Sequence, residues 1–562
     1  MMAPSIPSAI SGGLLLLTHL VAVVAGYQSH FYPGPGFDVR ESSIDSIHEA
    51  LFAGTASCRD VVSAFIVRTE EFNPAINAVI ALNPHVLDDA DALDARIATG
   101  NATGSLFCVP MLLKDNFDAV GMPTTGGCRA LAHIEPEVDG PVVAALKDAG
   151  AVVLGKVNMH EMALEGLSVS SLGGQTRNPY DLARTPGGSS GGTGAAIAAS
   201  LAVLGTGTDT VNSMRSPASA NNLFSFRPTR GLVSRWGLIP VGYTQDTVGA
   251  MGRGVRDIAT ALTVMSSIGH DPRDNVTALI PNDVLGKDYT AALSRGSLRG
   301  KRFGILSGFY NFTGSDETTP VIEAMADMEK TLIQAGAELI NITNPIFNIT
   351  SLAPEVDVQT FEYREMLNEY LQRHDLKGQP RPTSFEQIYK SNDYLVIPHQ
   401  YDYIKLASTR STSDPLYKTK QQGILDLTAT LHAEFHRRNL DAIIYPEQKN
   451  LVVRIGAPSQ AGRNGILAAV TGSPVVVVPA GWSGPSREAP LGVPIGMEIL
   501  GLPWTEDKLL NVAQLISDLV PARKMPESTG RSVGGKSYQC VHVIRPNAGD
   551  IPLEYPLGTI IS

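Results

Sequence analysis

Residues 187–192 read Gly-Gly-Ser-Ser-Gly-Gly, and this stretch restricts the fold more than any other. Four glycines in six residues raise the entropy cost of ordering the backbone, so the fold must need unusual dihedrals or a close approach there. A helix is predicted directly after it, over Gly194 to Ser200, and amides at a helix N-terminus favour nearby negative charge. One reading of such a stretch is a tight turn with no further role. Another is the G-x-S-x-G nucleophile elbow, which fits at Ser189 and at Ser190. The elbow needs a strand immediately before it. Asn178-Pro179-Tyr180-Asp181 and Thr185-Pro186 spell loop instead.

Elsewhere the chain alternates short apolar runs with helical patterns. Strands are predicted over Ile76 to Ala81, Leu106 to Leu113, Ala151 to Leu154, Leu201 to Gly205, Arg302 to Leu306, Leu339 to Ile342, Ala442 to Tyr445, Val475 to Val478 and Gly496 to Leu500. Helices are predicted from Ser43, from Cys58 to Phe72 with a stop at Asn73-Pro74, and over Asp88 to Ile97, Pro141 to Asp148, Val321 to Ala335 and Thr505 to Leu519. This alternation predicts an α/β fold, a large mixed sheet with helices on both faces. Residues 41–525 are expected to form one domain after an irregular lead at 26–40. A helical insertion near the site is expected over about 354–438, and a Gly- and Pro-rich tail over 526–562.

Formal net charge is −11, which argues against general nucleic-acid binding because phosphates demand a positive field. The one basic cluster, Arg295 to Arg302, reads as a solvated loop face. Leu14 to Ala25 is an apolar run too short for a comfortable membrane span, with small Val23 and Ala25 before a signal-peptidase site. Residues 1–25 are therefore expected to be a signal peptide and the chain secreted, with a retained anchor as the alternative, since no Lys or Arg precedes the run. No later stretch resembles a transmembrane helix. Five N-x-S/T sequons, at Asn101, Asn275, Asn311, Asn341 and Asn348, fit that route as glycosylation sites. Cys58, Cys108, Cys128 and Cys540 allow three pairings. A Cys108–Cys128 bridge would brace the segment between them; buried unbridged thiols are the alternative. The cysteines are too scattered for a zinc site, and His160-Glu161 has Leu164 where a metalloprotease helix needs histidine, so no metal is expected.

VPMLLKDNFDAVGMPTTGG, LGKVNMHEMA, GQTRNPYDLARTPGGSSGG, GTDTVNSMRSPAS, RPTRGLVSRWGLIP, TQDTVG and GMEILGLPWTEDKLL together resemble the amidase signature family. That group includes fatty-acid amide hydrolase, peptide amidase and the amidase subunit of tRNA amidotransferases. The resemblance spans most of residues 40–525. It implies a hydrolase of amide C–N bonds in which Lys114 is the catalytic base, Ser189 a proton relay and Ser213 the nucleophile. It also implies a cis bond at Gly188–Ser189, no cofactor, and a small-molecule amide as substrate; a homodimer is one allowed assembly. The chemistry is self-consistent, because a serine hydroxyl needs a base and lysine is a base only when burial strips its proton.

The backbone amides of Thr210, Val211, Asn212 and Ser213 are expected to receive the oxyanion, with Ser190 beside them in the binding group. The family usually has two glycines where this chain has Val211-Asn212. A β-branched residue avoids left-handed backbone, so the turn either stays in ordinary φ,ψ regions or departs from the family geometry. Asp209 and Arg215 are expected to brace the loop. Three rival readings stand beside the secreted amidase. They are a component of an amidotransferase working on aminoacyl-tRNA, a binding protein derived from an amidase, and a Ser-His-Asp hydrolase, for which no histidine is well placed.

Overall fold

The computed structural model describes residues 37–534, 538 and 540–560. The signal-peptide segment and most of the irregular lead lie outside the described residues. Eleven strands form one sheet: β1 Val79–Leu82, β2 Pro110–Lys114, β3 Val152–Val157, β4 Leu204–Asp209, β5 Phe224–Arg227, β6 Thr247–Gly252, β7 Arg302–Leu306, β8 Glu338–Ile342, β9 Ala442–Pro446, β10 Val475–Trp482 and β11 Pro494–Leu500. Their order across the sheet is β1-β3-β2-β4-β6-β5-β10-β11-β9-β7-β8. Parallel pairs (β2 with β3 and β4, β7 with β8 and β9) flank a central run of antiparallel ones from β4 to β9. Every residue of β2, β3, β4, β5, β6, β9 and β11 is buried, which requires cover on both faces. The mixed sheet covered by helices is the fold expected from the alternation.

Strand boundaries moved where packing overrode the local pattern. β2 starts at Pro110 rather than Leu106, because 105–108 turns tightly and Cys108 sits at φ 57°. β4 starts at Leu204 and runs on through Thr206 and Thr208, polar residues that lower the apolar signal. The helix expected to stop at Asn73-Pro74 continues over Cys58–Ile76, and Asn77 in the left-handed region ends it. Asn73 there accepts from the N–H groups of Ala78 and Val79, at 2.9 and 2.7 Å, and Phe72 and Ile76 stay buried. Pro74 is thus accommodated by tertiary contacts on its helix's last turn.

Cys58 and Cys108 form the disulfide, with Cα atoms 5.8 Å apart. The bridge expected to brace Lys114 joins Cys108 to the helix start at Cys58, not to Cys128. Cys108 lies in the main core, whereas Cys128 is buried in a separate cluster with Leu131, Met159, Tyr363 and Phe385. Cys540 is exposed and unbridged. Closing a loop of 50 residues removes chain entropy from the unfolded state. The Cys58→Ser/Cys108→Ser protein is expected to lose about 2–4 kcal/mol in urea unfolding, with no further loss on adding reductant.

Five helices occupy the region after β8: Ile349–Val356, Gln359–Leu371, Phe385–Lys390, Tyr401–Thr409 and Pro415–Arg438. The last segment of chain lies back across the domain. Asp550 accepts from Arg177, the Tyr555 hydroxyl donates to Ala457 O at 2.5 Å, and Gly558 N–H donates to Tyr394 O at 2.8 Å. No helix among the described residues is long and apolar enough to cross a membrane.

Candidate active site

Lys114 ends β2 and is wholly buried. Its backbone N–H donates to Thr206 Oγ1 at 3.1 Å, and its Nζ donates to the hydroxyls of Ser189 and Thr208, each at 2.8 Å. Thr206 and Thr208, two residues apart on β4, share one face of the sheet. Among the described residues no carboxylate pairs with the ammonium. Burial pulls its pKa down to about 7, against the weaker pull of Asp209 and Asp246 in the other direction.

Ser189 follows a cis Gly188–Ser189 peptide. Gly187 takes φ 70°, and a Cβ at Gly192 would lie 2.1 Å from Asn158 O, so the glycines serve both dihedral freedom and close approach. The helix begins at Gly191, three residues earlier than expected, and its first turn lies on the β3 end. No strand precedes the serines, since 185–190 is loop, and the elbow reading has no structural basis. The nearest histidine, His160, is tied by its backbone N–H to Ser189 O at 3.0 Å, and burial drives its pKa down to about 4.

The oxyanion turn uses ordinary backbone. Neither Val211 nor Asn212 has positive φ, so glycine is not required at either position. Among the described residues the N–H groups of Val211, Asn212 and Ser213 have no acceptor, whereas those of Met214 and Arg215 donate to Asp209 Oδ2 at 3.1 and 3.3 Å. Three contacts hold the turn. Arg215 Nη2 donates to Val211 O, Asn212 Nδ2 donates to Glu447 Oε1 at 2.9 Å, and Thr210 Oγ1 donates to Asp246 Oδ1 at 2.6 Å. Ser190 N–H donates to Ser213 O at 2.9 Å and its hydroxyl to Thr208 O at 3.3 Å, so Ser190 ties the two serine loops together from behind. Ser213 is 7% exposed, and its hydroxyl has no protein partner among the described residues.

Ser213, Thr210 and Val211 open onto a cavity of about 310 Å³. Ile349, Ala353, Asp357, Gln359, Gln400 and Tyr403 come to it from the helical region, Glu165, Gln460 and Arg463 from two loops, and Ile466 from the start of the helix Ile466–Thr471. Glu165 and Arg463 pair at 2.9 Å. Thr208, Glu447 and the Glu165–Arg463 pair escaped the reading of the sequence. The period-two spacing of Thr206 and Thr208 before Asp209 could have flagged the first; nothing local marks the others.

The amidase family model matches residues 60–510. This chain belongs to the amidase family. The amidase is 33% identical to a glutamyl-tRNA(Gln) amidotransferase subunit of Alkalilimnicola ehrlichii, over 84% of this chain and 96% of the relative. The corresponding glutamyl-tRNA(Gln) amidotransferase subunit of Thermoanaerobacter pseudethanolicus is 28% identical over 87% of this chain and 98% of its own. Among solved structures, native peptide amidase from Stenotrophomonas maltophilia superposes with a TM-score of 0.74 at 31% identity, covering 87% of this chain and 98% of that one. A bacterial aryl acylamidase (TM-score 0.73, 23% identity, 88% and 99% coverage) shares the fold. The amidase is a hydrolase acting on amide C–N bonds.

Proposed function

We propose that this amidase is a secreted serine hydrolase of small amides, with Ser213 as nucleophile, Lys114 as base and Ser189 as relay. The observation that carries the reading is Lys114 Nζ, buried without a carboxylate partner and 2.8 Å from Ser189 Oγ. With a pKa near 7 it is largely neutral at mildly alkaline pH and able to accept a proton. Ser213 Oγ attacks the amide carbon while its proton passes to Ser189 and the Ser189 proton to Lys114. The 2.9 Å bond from Ser190 N–H to Ser213 O ties the backbone of Ser213 to the residue that follows Ser189. The carbonyl oxygen, now negative, takes the unpartnered N–H groups of the 211–213 turn, each such donor being worth about 10²–10³ in rate. Collapse of the intermediate breaks the C–N bond, and the proton held on Lys114 returns through Ser189 to the leaving nitrogen. Water then attacks the Ser213 ester by the same proton path, releasing the acid and restoring the hydroxyl.

Secretion draws support from the apolar Leu14–Ala25 run, from the disulfide, and from the sequons. Asn101, Asn275, Asn341 and Asn348 are exposed and Asn311 is half-buried, so all five are at or near the surface. The relatives' name favours a second reading, a component of an amidotransferase. Cell fractionation with N-terminal sequencing separates the two. A glycosylated chain beginning after Ala25 supports secretion, and a chain beginning at Met1 in the cytosol supports the amidotransferase.

The chemistry is tested by fluorophosphonate labelling of the purified protein and peptide mapping. The adduct is expected on Ser213 and is expected to vanish in Ser213→Ala and Lys114→Ala. An adduct on Ser189 or Ser190 would overturn the assignment.

A further inference from the structure

The polar groups facing the cavity are unevenly paired. Arg463, the cation among its lining residues, is held by both carboxylate oxygens of Glu165, at 2.9 and 3.3 Å. Asp357 has no cation within ion-pair distance among the described residues. Its carboxylate is held by the Gln359 side-chain amide, whose Nε2 donates to Oδ1 and Oδ2 at 3.0 and 2.9 Å, and by the Gln359 N–H at 3.0 Å. Two cations reach it by their fields alone, and both are committed elsewhere: Lys420 to the backbone oxygens of Pro354 and Glu355, and Arg463 to Glu165. Among the described residues, two further groups of the same lining are buried with no partner: Gln460 Oε1 and the Tyr403 hydroxyl. Gln460 has its amide nitrogen fixed on Gln448 Oε1 at 2.7 Å, so its oxygen is the atom left over.

The cavity wall thus carries one carboxylate outside any ion pair, one buried amide oxygen without a donor and one unpaired tyrosine hydroxyl. Water can hydrate such groups, yet a ligand that enters must supply donors and positive charge or leave them desolvated. A carboxylate or an all-carbon chain would do neither. An ammonium brings three donors and one positive charge in a compact head. We propose that the Asp357 side of this cavity is an ammonium-binding subsite, and that the amidase acts on small amides bearing a protonated amine away from the scissile bond. This proposal rests on the amidase reading of Ser213. Burial disfavours the ionised Asp357, and an incoming cation relieves that penalty.

The test is a set of isosteric pairs, each an ω-amino amide against the neutral amide with methyl in place of ammonium. They run from 3-aminopropanamide with butanamide to 6-aminohexanamide with heptanamide. In the wild-type protein kcat/KM is expected to favour the best amino member by at least about tenfold, the effect of one charge-assisted hydrogen bond. In Asp357→Asn that preference is expected to shrink to within about threefold of unity, and in Asp357→Glu to be partly kept. Melting temperatures of both variants separate loss of the subsite from loss of the fold. Neutral members turned over as fast as amino members, or a preference unchanged in a folded Asp357→Asn, would overturn the subsite and leave the amidase reading intact. Ser213 labelling without turnover of any pair would do the same. No turnover together with no adduct on Ser213 would overturn both.

Discussion

Lys114→Ala is expected to lower kcat/KM by about 10⁴-fold or more, the loss seen when the base of a covalent mechanism is removed. The same residue sets the pH dependence. Its folded pKa is depressed to about 7 by burial, and only the neutral amine accepts the Ser189 proton. In the wild-type protein log kcat/KM should therefore climb with unit slope as pH rises toward 7 and level off above it, so activity at pH 5 is about 100-fold below the plateau. Residual activity of Lys114→Ala should lack that limb. The linkage runs in the same direction. Between about 7 and the lysine's ordinary value near 10.5 the unfolded chain binds a proton that the folded chain does not, so this site adds stability as pH rises through that window. A flat wild-type profile from pH 5 to 8 would sink Lys114 as the base. Ser213→Ala in parallel should lose about 10⁶-fold and label with no fluorophosphonate, because the acyl-enzyme has no other attachment point.

Arg215→Ala is expected to cost about 3–5 kcal/mol of stability, read by urea unfolding at constant pH. Arg215 bonds Asp209 at 3.0 Å and Glu498 at 2.7 Å, Arg227 bonds Asp209 at 2.6 Å, and all four side chains have zero exposure. Burial by itself would raise the Asp209 pKa, but the two guanidinium groups hold it far below the carboxylate range. Glu447 is adjacent to the network, where burial and the charge of Glu498 push its pKa upward. Removing Arg215 strands Asp209 and Glu498 in the interior with one cation between them. Arg215→Lys should recover only part of the loss, since an ammonium cannot reach Asp209, Glu498, Val211 O and Gly465 O together. Activity should fall in both variants beyond what the unfolded fraction explains, because Val211 O anchors the oxyanion turn. Unfolding free energies within about 0.5 kcal/mol of wild type, or full activity in a folded variant, would show that the network braces nothing.

Residues close together in the chain carried most of what could be read before the structure. Ser43 and Ser57 cap the helices Ile44–Phe52 and Cys58–Ile76 by bonding N–H groups three residues on, a pattern contained in four residues. Strand positions and the glycine-rich loop are also written locally, since a pleat repeats every two residues and a missing Cβ needs no partner to be noticed. The lysine and two serines were legible because the motifs around them resemble a family, not because any spacing placed Lys114 next to Ser189.

What the tertiary structure alone decided are pairings across long stretches of chain. Cys58 meets Cys108 because the helix it opens and the turn before β2 pack into one core, and Cys128 is carried past a turn into another cluster. Asn212 meets Glu447 235 residues away, and Asp357 reaches the cavity because the helices after β8 fold back over Ser213. The sequence by itself determined the kinds of element, the lysine at a strand end and the serines in a glycine-rich turn, because those depend on neighbours within a few residues. Sheet order determined which distant side chains surround them, and with that the pKa of Lys114, the hold on the oxyanion turn and the unpaired carboxylate in the cavity. Burial and Coulomb interactions depend on separation in space, which no local pattern records.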